Sequence, residues 1–270
     1  MKKNENIILS LEEIKLMTAK ERLALVLQKK VDDEIIGQMK FLSDKVKWGF
    51  VKRADYEAVF RKPNNDLNIA VILESPHIDE FDIKNLTDEN GILISSRPLN
   101  NPKSRKGLKE MLNQNLSTIL DNRLYNLKNE ALNIVLINAI QNQCSLGFAT
   151  KYFRDEHFLT LWKEKSNDFE ERIKKINPFL IINCCTNGNI KKRTLNEIFD
   201  FEESNFKGLK FLLKDLVEIK LQNLINERNY LRFNHPSSFN STTEKFRNDG
   251  NIANAKIMNE LIIVNQFDSL

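Results

Sequence analysis

The chain has 270 residues, 41% of them hydrophobic and 29% charged, the balance of a soluble globular protein long enough for one large domain or a domain with an appended lobe. A formal net charge of +4 is too small to argue for or against a nucleic-acid partner, and no apolar run approaches the length of a membrane span. Three cysteines, Cys144, Cys184 and Cys185, are too few and wrongly spaced for a zinc or iron–sulfur site, which leaves a metal-free protein with buried thiols suited to a reducing cytoplasm.

In chain order, Ser10-Leu11-Glu12-Glu13 is a capping-box pattern that opens a helix over 11–27, with Leu11, Ile14, Leu23, Leu25 and Val26 available for an apolar face. A second helical stretch is read over about 33–60, broken near Trp48-Gly49. Pro63-Asn64-Asn65-Asp66 ends it, so that 1–65 form an N-terminal helical lobe. Beyond Asp66 short apolar runs alternate with helical stretches. The runs are 68–73, 133–138, 179–183 and 230–233; the helices fall at about 106–127, 152–176, 190–199 with 207–227, and 242–262. Runs this continuous suit strands covered on both faces. The expected fold of 66–270 is therefore α/β: a three-layer α/β/α sandwich on a central four-stranded, mainly parallel sheet, with a helical insertion near 200–228.

Two polar motifs follow these runs. Glu74-Ser75-Pro76-His77 comes after the first and His235-Pro236-Ser237-Ser238 after the last, and together they hold two of the three histidines. In open α/β sheets ligands bind where loops leave the carboxyl ends of strands, so a carboxylate and a histidine in two such loops suit a hydrolase. Basic residues also cluster. Between Arg97 and Lys109 stand Arg97, Lys103, Arg105, Lys106 and Lys109 without an acid; Lys191-Lys192-Arg193 and the Lys45–Arg53 stretch form two further groups. Each is either a solvated face or a place to hold phosphates.

In sequence order these pieces resemble the uracil-DNA glycosylase superfamily over about 66–263. Leu73-Glu74-Ser75-Pro76-His77 resembles that family's water-activating loop, and Gly91-Ile92-Leu93-Ile94-Ser95 its base-stacking segment. Pro102 to Met111 is similar to its proline–serine loop and following helix, and Val135-Leu136-Ile137-Asn138 to its Leu-Leu-Leu-Asn strand. Residues 179–187 resemble its third strand, and His235-Pro236-Ser237-Ser238-Phe239 its catalytic and intercalating loop. The chain departs from the family pattern at Leu73, where the family has glycine, at Ser75, where its commonest branch has aspartate, and at Ile94, where an aromatic stacks on uracil. His77 falls on the position that guards the pocket.

The resemblance implies a monofunctional DNA glycosylase without cofactor, acting on a flipped nucleotide of DNA. Its changed pocket favours a modified base over plain uracil, as in superfamily members that act in phage defence. Uracil repair and a catalytically silent DNA-binding module are the alternatives. Breaking an N-glycosidic bond puts positive charge on the sugar and negative charge on the leaving base, so a carboxylate and a donor are both wanted. Glu74 and His235 suit these catalytic roles. Ser75, His77, Ile94 and Asn138 would meet the base, while Arg97, Lys103, Arg105, Lys106, Ser237, Ser238 and Phe239 would meet the DNA, Phe239 as a wedge. Left open are a structural role for Glu74 and His235, and the choice of Asp79, Glu80 or Asp82 as the working acid. Gln141-Asn142-Gln143 is read as a pocket rim or an exposed loop, and His157 as a structural residue.

Overall fold

A computed structural model describes residues 9–42, 45–50, 67–81, 87, 89–94, 99, 101–112, 131–146, 153–188, 212–225 and 229–237, without the side chains of 40–50, 94, 102, 131, 212 and 229. The protein is mixed α/β. The elements are α1 (Leu11–Leu16), α2 (Ala19–Leu27), β1 (Lys29–Lys30), β2 (Glu34–Leu42), β3 (Lys45–Phe50), β4 (Asn68–Leu73), a 3-10 turn (Ile78–Glu80), β5 (Leu93–Ile94), α3 (Pro102–Met111), β6 (Ala131–Asn138), α4 (Arg154–Ile176), β7 (Leu180–Asn183), α5 (Leu212–Ile225) and β8 (Asn229–Arg232).

All four apolar runs are strands, and they lie parallel: β6 pairs β4, β4 pairs β7, and β7 pairs β8. The expected four-stranded sheet is nevertheless too small. Its order is β3-β2-β6-β4-β7-β8, with β2 antiparallel to both β3 and β6. Residues 34–42 and 45–50, expected to be helical, are therefore strands, and the N-terminal helical lobe is corrected to two short helices followed by two strands of the main sheet. A β-bulge between Ile35 and Gly37 gives β2 its helix-like pattern. The extra residue shifts the alternation, so Ile36 and Met39 share one core layer at a spacing of three, while Ile35 faces the other.

The expected 11–27 helix is interrupted too. Thr18 begins its own capping box: its backbone N–H donates to Glu21 Oε2 at 2.7 Å, and Met17 before it is extended. The 152–176 helix matches α4. Of 207–227 the part 212–225 is α5, and of 106–127 the part to Met111 belongs to α3, which starts earlier, at Pro102. The stretches 190–199 and 242–262 lie outside the described residues.

Alternation along β4 and β6 builds a core on each face of the sheet. Ala70, Ile72, Val135 and Ile137 pack with Phe158, Trp162 and Phe169 of α4 and with Leu213 and Val217 of α5. Ile69, Val71, Ile134 and Leu136 pack with Leu108 and Met111 of α3, and with Met39 of β2. A polar ladder crosses the sheet at the other end of β4. Gln38 donates to Asn133, Asn133 to Asn68, and Asn68 to the carbonyl of Ile176, which fixes register as apolar packing alone cannot.

Candidate active site

Among the parallel strands, β4 comes first in the chain but lies between β6 and β7, the second and third. The chain thus leaves β4 toward one side of the sheet and returns on the other. The loops that follow β4 and β7 diverge, and a crevice opens at their carboxyl ends. A cleft of about 280 Å³ lies there. The β4 loop lines it with Glu74, Ser75, His77 and Glu80, and the N-terminus of α3 with Asn101, Lys103 and Ser104. Opposite stand Arg154, Thr186, His235 and Ser237.

Glu74 is 4% exposed and held from three directions. Arg154 Nη1 donates to Oε1 at 3.0 Å, the Thr186 hydroxyl to Oε1 at 3.2 Å, and the Thr186 backbone N–H to Oε2 at 3.2 Å. Burial by itself pushes this carboxyl up. His235 and Arg154, with the backbone donors, outweigh it and bring Glu74 below the usual carboxylate range, so Glu74 is ionised at neutral pH. None of its partners belongs to a helix opened by its own loop, so it is not a helix cap.

The rest of the molecule holds those donors in place. Arg154 is the first residue of α4 and follows Phe153, whose φ of 56° is left-handed, an uncommon conformation for a bulky residue. Arg22 of α2 lies 4.0 Å from the Phe153 ring centroid and donates to the carbonyl of Met17, so the N-terminal helices brace this turn. Asp155 in turn accepts from the Arg154 guanidinium at 2.7 Å. Thr186 leads to Gly188, at φ +78°, where a Cβ would come within 2.9 Å of Leu213. Glycine there lets the β7 loop close against α5.

His235 is three residues beyond β8 and partly exposed. Its Nδ1 accepts the Ser237 backbone N–H at 3.3 Å and lies 2.8 Å from the Ser237 hydroxyl, so the neutral ring carries its proton on Nε2. Burial lowers its pKa. Glu74 opposes that change, whereas Arg154, Lys214 and His77 reinforce it, and the ring is held below the ordinary histidine range. Lys214, itself buried, donates to the carbonyl of Phe233 and anchors the approach to this loop.

Of the residues singled out in the sequence, Glu74, Ser75, His77, Lys103, His235 and Ser237 meet at the cleft. His77 also caps the 3-10 turn, its Nδ1 accepting the Asp79 N–H at 3.2 Å. Of the rival acids, Glu80 lines the cleft, Asp79 accepts from Asn101 at 2.9 Å, and Asp82 is outside the described residues. Asn138 is buried next to the cleft without lining it. Arg105 and Lys106 lie further along α3, with Lys106 paired to Glu110 at 3.8 Å. Ile94 is in β5, which pairs with β1; its side chain, and Arg97, Ser238 and Phe239, lie outside the described residues.

Asn142 and Gln143 are neither an exposed loop nor a pocket rim. Both are buried, donating to the carbonyls of Lys29 and Ser145. His157 is structural as expected, bonded to the Cys144 carbonyl, and all three cysteines are buried and free. Arg154 and Thr186 were missed, since neither stands in a recognisable motif. Among the described residues no three His, Cys, Asp or Glu side chains group as metal ligands, and no helix is long and apolar enough to cross a membrane. Compared with protein-family models, characterised proteins and solved structures, the chain has no match.

Proposed function

We propose that the protein is a monofunctional DNA glycosylase that hydrolyses the N-glycosidic bond of a flipped, modified base. The observation that carries this reading is the convergence of an ionised, buried Glu74 and a neutral His235 on one cleft at the sheet's switch point. In this account the Glu74 carboxylate faces the sugar, stabilises the oxocarbenium and orients the attacking water. Arg154 and Thr186 fix its rotamer, so little reorganisation is needed as charge develops. His235 donates from Nε2 to the carbonyl of the departing base. The cores on the two faces of the sheet suit a three-layer α/β/α sandwich, and the resemblance to uracil-DNA glycosylases supports a carboxylate and a histidine acting from these two loops.

DNA is the proposed partner. Lys103 at the cleft mouth, together with Ser237 and Ser238, would hold phosphates that flank the flipped nucleotide, and Phe239 would fill the stack. A reducing cytoplasm, with a role in phage defence, is the setting we favour, and three buried free thiols suit it. The test is incubation of the protein with DNA containing uracil, hydroxymethylcytosine or glucosylated cytosine, followed by alkali. Alkali-labile sites at a modified cytosine support the reading. Cleavage at uracil alone would favour uracil repair, and salt-sensitive binding without cleavage a silent DNA-binding module.

A further inference from the structure

Two histidines line the cleft, and their rings are held alike. His77 belongs to the loop after β4 and His235 to the loop after β8. In each, Nδ1 accepts the backbone N–H of the residue two further on, from Asp79 at 3.2 Å and from Ser237 at 3.3 Å. An N–H aimed at Nδ1 needs the lone pair there, so the proton of each ring is carried on Nε2. Asp79 Oδ2 also lies 3.2 Å from His77 Nδ1, but it already accepts from Asn101 at 2.9 Å.

The cap therefore uses only one edge of His77. Its Nε2 makes no hydrogen bond among the described residues, and the side chain, 26% exposed, is not sealed from the cleft that it lines. The two rings are also close enough for the charge of His77 to act on His235. We propose that His77 is a second catalytic donor, its Nε2–H bonding an acceptor atom of the departing base other than the one that His235 takes. This deepens the glycosylase reading and rests on it.

A nucleobase carries acceptors on several atoms, carbonyl oxygens and ring nitrogens. When the C1′–N bond breaks, its electron pair goes to the base and spreads over them. Donors at two of these atoms hold that charge better than one donor can. The oxygen of the water oriented by Glu74 bonds to C1′, and the proton that the water sheds reaches the base through solvent. Neither ring gives up its proton, so each acts by its hydrogen bond alone.

A cap and a donor make different demands on residue 77. Asn can accept the Asp79 N–H as an N-cap does, but it is too short to present a donor where Nε2 stands. Gln has that reach and is a poorer cap. The test is single-turnover excision by full-length wild type, His77→Asn and His77→Gln, with DNA affinity and urea midpoint measured beside it. The probes are single- and double-stranded oligonucleotides carrying one uracil, hydroxymethylcytosine or glucosylated cytosine.

His77→Asn should excise at least about tenfold more slowly, with affinity and midpoint unmoved; a donor in a partly open site counts for less than the roughly 100-fold of a sealed one. His77→Gln should recover most of the rate. Excision by His77→Asn at the wild-type rate, or losses in the two variants that follow their midpoints, would overturn the inference and leave His77 a cap. Should His77→Asn fail to fold, His77→Phe takes its place against His77→Gln: a slow Phe variant beside a fast Gln variant supports the donor, and equal rates overturn it. Undiminished excision by the variants sinks this inference alone. No excision of any probe by the wild type sinks the glycosylase reading, and this one with it.

Discussion

At the residue scale Arg154 decides the state of Glu74. A buried carboxylate left without its cation loses the partner that offsets its desolvation, so Arg154→Gln should destabilise the protein by about 3–5 kcal/mol. It should also change the pH profile. Glu74 titrates below the ordinary carboxylate range, so its contribution is present above that range and is lost as pH falls through its lowered value. Without Arg154 the acid limb of kcat/KM should move to higher pH, read from excision rates across a pH series; a limb that stays in place would show that Arg154 does not tune Glu74. Glu80 behaves in the opposite sense. Its pKa is raised to about 8, so its contribution is full below the ordinary carboxylate range and is lost as pH rises toward 8. Glu80→Gln should flatten the fall in stability between about pH 5 and pH 8 by a few kcal/mol in urea melts, and an unchanged slope would place that titration elsewhere.

At the element scale β2 matters most. It carries Met39 into the core beneath α3 and pairs along its length with β6, so the N-terminal segment belongs to the same folded unit as the site. Met39 is fully buried, and Met39→Ala should cost about 2–5 kcal/mol in one cooperative unfolding transition. Two transitions, with the main one unmoved, would show that β2 folds apart. The parallel strands were legible because β4, β7 and most of β6 are apolar runs that end in polar residues, with the shorter Tyr230–Phe233 run marking β8. β2 was not, since its bulge turns a period of two into a spacing that a helix shares. The same contrast holds in the site. Glu74 and His235 each follow a strand and could be found locally, whereas Arg154 and Thr186 reach Glu74 from 80 and 112 residues away and leave no local signature.

At the scale of the whole molecule, the fold brings together the loops after β4, β7 and β8 and the N-termini of α3 and α4 at one end of the sheet. No single element holds the chemistry. The sheet's order creates the crevice, the N-terminal helices brace the turn before Arg154, and α5 supports the loops carrying Thr186 and His235. The central claim is that a charge on Glu74 drives bond cleavage, and Glu74→Gln removes that charge with little change of shape. Single-turnover excision of the base identified in the alkali assay, by the wild type and by Glu74→Gln, tests this most directly. The account predicts a loss on the order of 100-fold or more in rate with DNA affinity retained, and a similar loss for His235→Ala. Excision by Glu74→Gln at the wild-type rate would contradict it.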